Sequence, residues 1–548
     1  MRAARAERRW VIGFAGVVMV VTTIPYLVGF QMARANPQWQ YSGLLFGAED
    51  GYSYLAKMLW GAAGAWFFRS PYTAYPSGGM LAFLPYLLLG KLTAPPGQYE
   101  QLVALFHLFR VAAGLAMVLA VYDFLALFIQ DVNLRRWGTA LATLGGGLGW
   151  LALLGLEGLW SGTLPGMEQP LEFYSPETFG FLMLLGLPHL AAARALLLWS
   201  LTGYLKPPAS LGRWAGWLPG VLCLGVGIMQ PLTVVVEWAV VGLHLAAAGA
   251  WQFWAGRRKA ADWQMWWGYV RRAARIVLIS APVVVYTFLA LRLDPTLAGW
   301  EGQNRIVSPP VHHYLLAYGL LLPLAAAGVG PAIRANGWHG WLIAAWAAAF
   351  PLLAYAPYTL QRRMPEAVWV ALSALAFIWL ETRGKQALGR ARAFLGVFYL
   401  STLVLYLASL YGVTAMRPPL YRSRDEVKGF EFLAQNARKN DVVLASFETS
   451  TALPAWAPVR VLLGSGPESV NASEIETRVQ CFYEANCPEK ARAALLREFG
   501  VDFVVWGPAE RKLGDWDPRE AGALQPVYEQ GEMVILKVEP QINTDGHR

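Results

Sequence analysis

Apolar runs of close to 20 residues, separated by short polar stretches, recur from the N-terminus to about residue 416. Crossing about 30 Å of hydrocarbon takes about 20 helical residues. The runs therefore predict eleven membrane-spanning helices, at 10–30, 101–128, 138–156, 179–203, 214–229, 231–250, 276–293, 312–330, 340–357, 365–381 and 393–414. Gly78 to Leu92 is apolar but short and carries Pro85. At about 1.5 Å per residue it reaches only about 20 Å, so Tyr52 to Leu92 is expected as helices lying on the membrane surface. The two spans over 214–250 should be joined by a tight turn at Gln230-Pro231, where proline opens the second helix at little cost. Beyond Met416 the long apolar runs end. Helical spacing over Asp425 to Arg438 and Pro488 to Phe499, strand runs over Val442 to Ser446, Val459 to Gly464 and Val501 to Gly507, and a hairpin around Gly531 predict a small α/β domain. The expected organisation is a membrane domain at 1–416, with an outer loop at 31–100, followed by the α/β domain at 417–548.

Charge orients this pattern. With the eleven spans, Arg135-Arg136, Lys206 with Arg213, the cluster Arg257, Arg258, Lys259, Arg271, Arg272 and Arg275, then Arg334, Arg383, Lys385, Arg390 and Arg392 share the side of the basic N-terminus. Basic loops mark the cytoplasmic side, which puts the N-terminus in the cytoplasm and the α/β domain outside it. The first span is longer than a signal-peptide core and no small-residue cleavage pattern follows, so it reads as an anchor.

Composition agrees: of 548 residues 56% are hydrophobic and 15% charged, and the mean hydropathy is +0.37, which excludes a soluble globular protein. The net charge of +9 sits in short clusters between apolar runs, which fits membrane topology and argues against a nucleic-acid partner. With 25 Trp, 23 Tyr and 25 Phe, aromatic side chains are available for bilayer interfaces and sugar faces. Cys223 lies in a span. Cys481 and Cys487 permit a small disulfide loop if the α/β domain lies outside the cytoplasm.

Four polar features fall on the outer side: Glu49-Asp50 in a glycine-flanked turn; the loop Glu157 to Thr178 with Pro176-Glu177, which leads into a span holding Pro188-His189; the loop Asp294 to Val311 with Trp300, Gln303 and Asn304; and Gln361-Arg362-Arg363. An outward arginine pair opposes the charge trend and suits bidentate grip on a phosphate; its bland counterpart is attraction to anionic headgroups. A histidine some ten residues into a span is costly unless it faces a cavity or a partner helix. Outward carboxylates with arginines and aromatics fit transfer of a sugar from a polyprenyl phosphate. A carboxylate would deprotonate the acceptor hydroxyl, arginine would stabilise the departing phosphate, and a single displacement would invert the anomeric centre. Asp123, His189 and Glu237 within spans keep open a transporter or flippase for a lipid-linked or anionic substrate, and the α/β domain keeps open a non-catalytic envelope assembly protein.

The layout resembles the C-type membrane glycosyltransferases (GT-C fold), among them protein mannosyltransferases and aminoarabinose and galacturonosyl transferases. The likeness is carried by the acidic first-loop motif, the surface helices after it, the span with Arg110 near its outer end, and the short motifs Asp50-Gly51-Tyr52-Ser53-Tyr54-Leu55-Ala56-Lys57-Met58, Pro176-Glu177, Pro188-His189, Gln361-Arg362-Arg363 and Gly500-Val501-Asp502-Phe503-Val504-Val505. It implies Asp50 as base with Glu49 as partner. Arg362, Arg363, Gln361, Glu177, His189, Tyr54, Lys57, Trp300, Gln303, Asn304 and Arg110 are the implied substrate-binding residues. It also implies a lipid-phosphate sugar donor, a glycan, lipid or protein acceptor, and residence in the bacterial inner membrane. A divalent metal (Mg or Mn) would be held by Asp50, Glu49 and Glu177 if the protein uses one. The chain departs from the mannosyltransferase branch in its adjacent Glu-Asp and in carrying Tyr75-Pro76-Ser77-Gly78-Gly79 where a His-Pro-Pro signature stands.

Overall fold

The computed structural model describes residues 2–162, 168–207, 209–254, 260–384, 389, 391 and 395–539. In chain order its first helices are α1 (Arg2–Ala35), α2 (Ala48–Ala62), α3 (Leu84–Gly90), α4 (Gln98–Leu125), α5 (Val132–Leu144), α6 (Gly180–Gly186), α7 (Pro188–Leu205) and α8 (Leu218–Met229). They are followed by α9 (Pro231–Trp254), α10 (Ala260–Leu293), α11 (Pro295–Gln303), α12 (Val311–Tyr318), α13 (Leu321–Asn336), α14 (Trp338–Ala354) and α15 (Val368–Thr382). Among the described residues six helices are long and apolar enough to cross a membrane: Arg5–Ala35, Gln98–Leu125, Pro231–Trp254, Trp263–Leu293, Gln361–Thr382 and Val397–Thr414.

Three of the eleven expected spans are not single helices. The run at 138–156 ends as a helix at Leu144, because Gly145-Gly146-Gly147 offers no side chains and poor helix propensity. The run at 179–203 is split into α6 and α7, because Pro188 has no N–H to continue the first helix and restricts Leu187, which leaves the helical region at φ −124°, ψ 67°. The run at 312–330 is α12 and α13, bent by 76°. The turn at Gln230-Pro231 is present: Gln230 is extended and Pro231 opens α9. Arg257, Arg258, Lys259, Lys385, Arg390 and Arg392 lie outside the described residues.

Contacts divide the chain into two units. The first comprises Met1–Ile24, Leu108–Phe288 and Arg305–Leu410. Three of the charged side chains within its apolar stretches are engaged. Arg110 donates to Thr22 Oγ1 (3.3 Å), Thr23 Oγ1 (2.7 Å) and the Leu184 carbonyl (2.9 Å). Asp123 takes Arg8 (2.9 Å) and the Trp199 indole (3.1 Å), and Glu237 accepts from Ser200.

The second unit comprises Pro25–His107, Leu289–Asn304 and Tyr411–Arg548. Strand β1 (Trp39–Tyr41) pairs antiparallel with β2 (Tyr421–Ser423). A five-stranded sheet has the order β4 (Arg460–Val461), β3 (Val442–Leu444), β5 (Val501–Trp506), β7 (Met533–Val538), β6 (Leu524–Gln530). β3 is parallel to β4 and β5, and β7 is antiparallel to β5 and β6. The expected strand at Val459 to Gly464 is shorter, since the chain turns away after Val461 into a loop that closes at Ser469. The helix Ala472–Tyr483 was not among the expected elements. Its Ile475, Val479 and Phe482 have helical spacing and pack into the sheet's core with Val504 and Leu536. Cys481 and Cys487 are disulfide-bonded, with Cα atoms 5.3 Å apart.

The stretch Tyr52 to Leu92 differs from surface helices. α2 is buried along most of its length and only the short α3 follows it. The two helices touch backbone to backbone. A Cβ at Gly61 would lie 2.0 Å from the Leu87 carbonyl oxygen, and one at Gly90 would lie 1.7 Å from that of Met58, so only glycine admits this approach.

Candidate active site

In the second unit, Glu49 and Asp50 are exposed in the first turn of α2 rather than in a turn before it, and left-handed Gly47 caps the helix. Backbone N–H groups point out of this end, where the helix dipole favours carboxylates. One turn and two turns on, Ser53 and Lys57 follow Asp50 along the same face, and both are buried. Lys57 Nζ lies 2.6 Å from Glu468 Oε1, the Ser53 hydroxyl donates to the same oxygen at 2.6 Å, and Lys57 also donates to Ser53. The ammonium sits over the Phe83 ring at 4.2 Å, and Tyr54 stacks on Tyr86 at 4.7 Å. Lys57 and Tyr54, expected to bind substrate, thus form the packed floor beneath the exposed carboxylates. Tyr72 links the two levels. Burial, reinforced by the charges of Glu468 and Asp50, pushes its phenol well above the usual range, and its hydroxyl donates to the Thr451 carbonyl at 3.2 Å.

Glu468, absent from the sequence-derived candidates, comes from the Gly464–Ser469 loop. Ser469 Oγ accepts from the Gly464 amide (2.7 Å) and donates to the Gly464 carbonyl (2.6 Å), which closes the loop on itself. Gly464 has φ +150°, and a Cβ there would lie 3.0 Å from the Ser450 carbonyl carbon. Glu468 Oε2 is buried without a protein hydrogen-bond partner.

The stretch after Asp294 is the helix α11 rather than a plain loop. Asp294 caps it through the Thr296 and Leu297 amides (2.9 and 3.2 Å) and takes Ser77 and the Gly78 amide (3.0 and 2.8 Å). Burial raises the Asp294 carboxyl, but the Gly78 and Leu297 amides with Ser77 outweigh it and hold the group below its usual range. Trp300 lies 6.0 Å from the Phe68 ring, Gln303 donates to the Ser469 carbonyl at 2.9 Å, and the Asn304 amide closes α11.

In the first unit, Gln361–Arg363 forms a single 3-10 turn. Gln361 is a brace, its Oε1 accepting from the Ser308 amide at 3.2 Å. Arg362 lies over the Tyr174 ring at 4.5 Å. Burial pushes the Tyr174 phenol up while the Arg362 charge draws it part of the way back. Arg363 Nε stands 3.2 Å from Glu177 Oε1; the arginine side chain is 35% exposed and the carboxylate 3%. Glu177 is itself fixed through its backbone, whose carbonyl accepts from the Ala367 amide (2.8 Å) and from Arg194. Arg194 also reaches the Pro176 carbonyl (3.0 Å) and ion-pairs with Glu366 at 2.8 Å, both side chains fully buried. Around this turn the Tyr174 hydroxyl, Ser175 Oγ, Glu177 Oε2 and Thr178 Oγ1 are buried with no protein hydrogen-bond partner. Water or a ligand would serve such groups. Deeper in the same loop, burial pushes Glu172 up to about 7 against hydrogen bonds from the Gly149 amide (2.5 Å) and Ser401 (3.1 Å).

His189 is the second residue of α7, half-buried, and not ten residues into a continuous span. Arg110 is buried on Thr22, Thr23 and Leu184. Arg194 and Glu366 were missed, although two opposite charges within apolar runs are themselves a signal of a buried pair. Among the described residues no group of three or more His, Cys, Asp or Glu side chains is placed to hold a metal ion.

The chain matches no protein-family profile and no curated protein. Among solved structures, ArnT from Cupriavidus metallidurans in the apo state is similar over 98% of this chain and 100% of its own, at 14% identity and a TM-score of 0.52. ArnT bound to undecaprenyl phosphate is similar over 96% of this chain and 99% of its own, at 14% identity and a TM-score of 0.49. The arabinofuranosyltransferase AftD from mycobacteria is similar over 97% of this chain but 40% of its own, at 15% identity and a TM-score of 0.50. The chain has the GT-C fold that its sequence layout resembles.

Proposed function

We propose that this chain, built on the GT-C fold, is a membrane glycosyltransferase that moves a sugar from a polyprenyl-phosphate donor to an acceptor on the extracytoplasmic face. Asp50 is the base that takes the acceptor hydroxyl's proton as the hydroxyl oxygen attacks the anomeric carbon, and Glu49 supports it. The bond from that carbon to the lipid phosphate breaks in the same step, which inverts the configuration. Arg362 and Arg363 bind the phosphate that departs with the bonding electron pair.

The observation that carries this reading is the division of polar residues along α2: Glu49 and Asp50 are exposed, while Ser53 and Lys57 on the Asp50 face are spent on Glu468. The solvent-facing chemistry of this helix is carboxylate alone. The transporter reading draws less support, because Asp123 is engaged by Arg8 and Trp199 and one oxygen of Glu237 by Ser200. The disulfide between Cys481 and Cys487 suits a compartment outside the cytoplasm.

The test is a transfer assay on purified wild type and Asp50→Asn, with a panel of radiolabelled polyprenyl-phosphate sugars, membrane lipid extract as acceptor, and a parallel EDTA arm. Loss of a general base predicts a fall of about 100-fold or more in the mutant. Transfer by Asp50→Asn at the wild-type rate would remove Asp50 as the base.

A further inference from the structure

The second unit holds a cavity of about 380 Å³ that the transferase reading does not use. It is formed by the last turn of α1, the first turns of α4, strand β1 and Arg424. The walls are apolar: Phe30, Ala33, Tyr41, Tyr99, Val103 and Ala104. Its charged lining is Arg34, Arg424 and Glu100. Arg424 is held in place by Gln40, to whose Oε1 it donates at 2.8 Å. The tyrosine hydroxyls are occupied elsewhere, Tyr99 on the Ser42 carbonyl at 2.8 Å and Tyr41 on that of Leu44 at 2.6 Å, so those rings present carbon to the cavity. The His107 ring contacts the Gly43 carbonyl at 3.0 Å.

Position and charge together select a ligand class. α1 and α4 are both long and apolar enough to cross a membrane, and the cavity lies where each gives way to polar sequence. That is the depth of lipid headgroups. The volume falls within the roughly 300–1,000 Å³ of small-molecule sites. A free anion would leave the apolar wall unused, and an uncharged hydrocarbon would use neither guanidinium group. Two arginines match a phosphodiester, and Glu100 matches a cationic group beside it.

We propose that this cavity binds a membrane phospholipid whose phosphodiester lies on Arg34 and Arg424 and whose amine lies on Glu100, with the first methylenes of its chains against Phe30, Val103 and Ala104. Phosphatidylethanolamine is the probe that carries all three features. Its occupancy is read without turnover, so it stands or falls independently of the transferase reading.

The experiment is native mass spectrometry of the full chain in a neutral detergent, titrated with phosphatidylethanolamine, phosphatidylglycerol, diacylglycerol, undecaprenyl phosphate and inorganic phosphate. The expected result is one phosphatidylethanolamine bound about tenfold or more tighter than diacylglycerol. That preference should vanish in Arg34→Gln/Arg424→Gln. Glu100→Gln should weaken phosphatidylethanolamine several-fold and leave phosphatidylglycerol unchanged. Both changes are at exposed side chains, and unchanged thermal melting of each variant confirms its fold. Equal occupancy by diacylglycerol, or indifference to the arginine changes, overturns the site. Displacement of phosphatidylethanolamine one for one by undecaprenyl phosphate or inorganic phosphate overturns the occupant.

Discussion

Arg363 and Arg194 show how differently two arginines of one unit can be used. Arg194 and Glu366 are both buried, so neither can leave without stranding the other's charge. Arg363 is one-third exposed on a buried Glu177, so its guanidinium can be approached from outside the pair while the carboxylate cannot. A ligand phosphate offers stronger, bidentate hydrogen bonding and can take Arg363 from the carboxylate. On the proposed function, Arg363→Gln should raise the donor KM about tenfold, whereas Glu177→Gln, which releases the guanidinium, should lower it. Donor titration at saturating acceptor measures both. A rise in KM with Glu177→Gln would mean that the carboxylate serves the donor directly. Sequence reasoning found Arg363 and Glu177 separately because each follows a marked local pattern. Their pairing, and the engagement of Gln361 by Ser308 or Arg110 by Thr22 and Thr23, depends on contacts between residues far apart in the chain.

Among the elements, α2 is the one whose sequence is easiest to misread. Its Asp50-Gly51-Tyr52-Ser53-Tyr54 run has the polarity of a surface helix, yet most of it is buried, because the Gly464–Ser469 loop delivers a carboxylate to Lys57. The loop's shape rests on Gly464 and on the Ser469 clasp, neither of which announces a partner in α2. Lys57 is only 1% exposed, so Glu468→Gln leaves a buried ammonium with a neutral acceptor. The expected cost is about 3–5 kcal/mol, read as a fall in the thermal midpoint of the detergent-solubilised protein. Lys57→Met in the same background removes the stranded charge and should recover most of the loss. If Lys57→Met/Glu468→Gln melts no higher than Glu468→Gln alone, the ammonium is not what the glutamate stabilises. The α/β elements were easier to read, since short strands such as Val501–Trp506 are continuous apolar runs. The helix Ala472–Tyr483 shows the same legibility, with Ile475, Val479 and Phe482 at helical spacing.

At the scale of the whole chain, hydropathy located the apolar segments but not their continuity. Breaks at Gly145-Gly146-Gly147, at Leu187-Pro188 and between α12 and α13 turn three expected spans into pairs of shorter pieces. Sidedness therefore cannot be obtained by adding up long helices: it depends on whether each broken pair, and each of the shorter apolar helices Leu218–Met229 and Trp338–Ala354, crosses. On the proposed reading, basic loops stay in the cytoplasm and the α/β elements lie on the opposite side from the N-terminus. Cys481 and Cys487 make that placement measurable without altering the protein. A thiol pair kept in the cytoplasm is reduced, whereas one outside it persists as a disulfide. Alkylation of cells with a permeant maleimide should therefore leave both cysteines unmodified until a reductant is added, while buried Cys223 reacts only after unfolding and serves as the internal control. Modification of Cys481 and Cys487 without reductant would put the α/β elements in the cytoplasm, and with them Glu49 and Asp50, since α2 and Glu468 are bound together in one compact unit. The same alkylation pattern thus decides which face of the membrane supplies the acceptor.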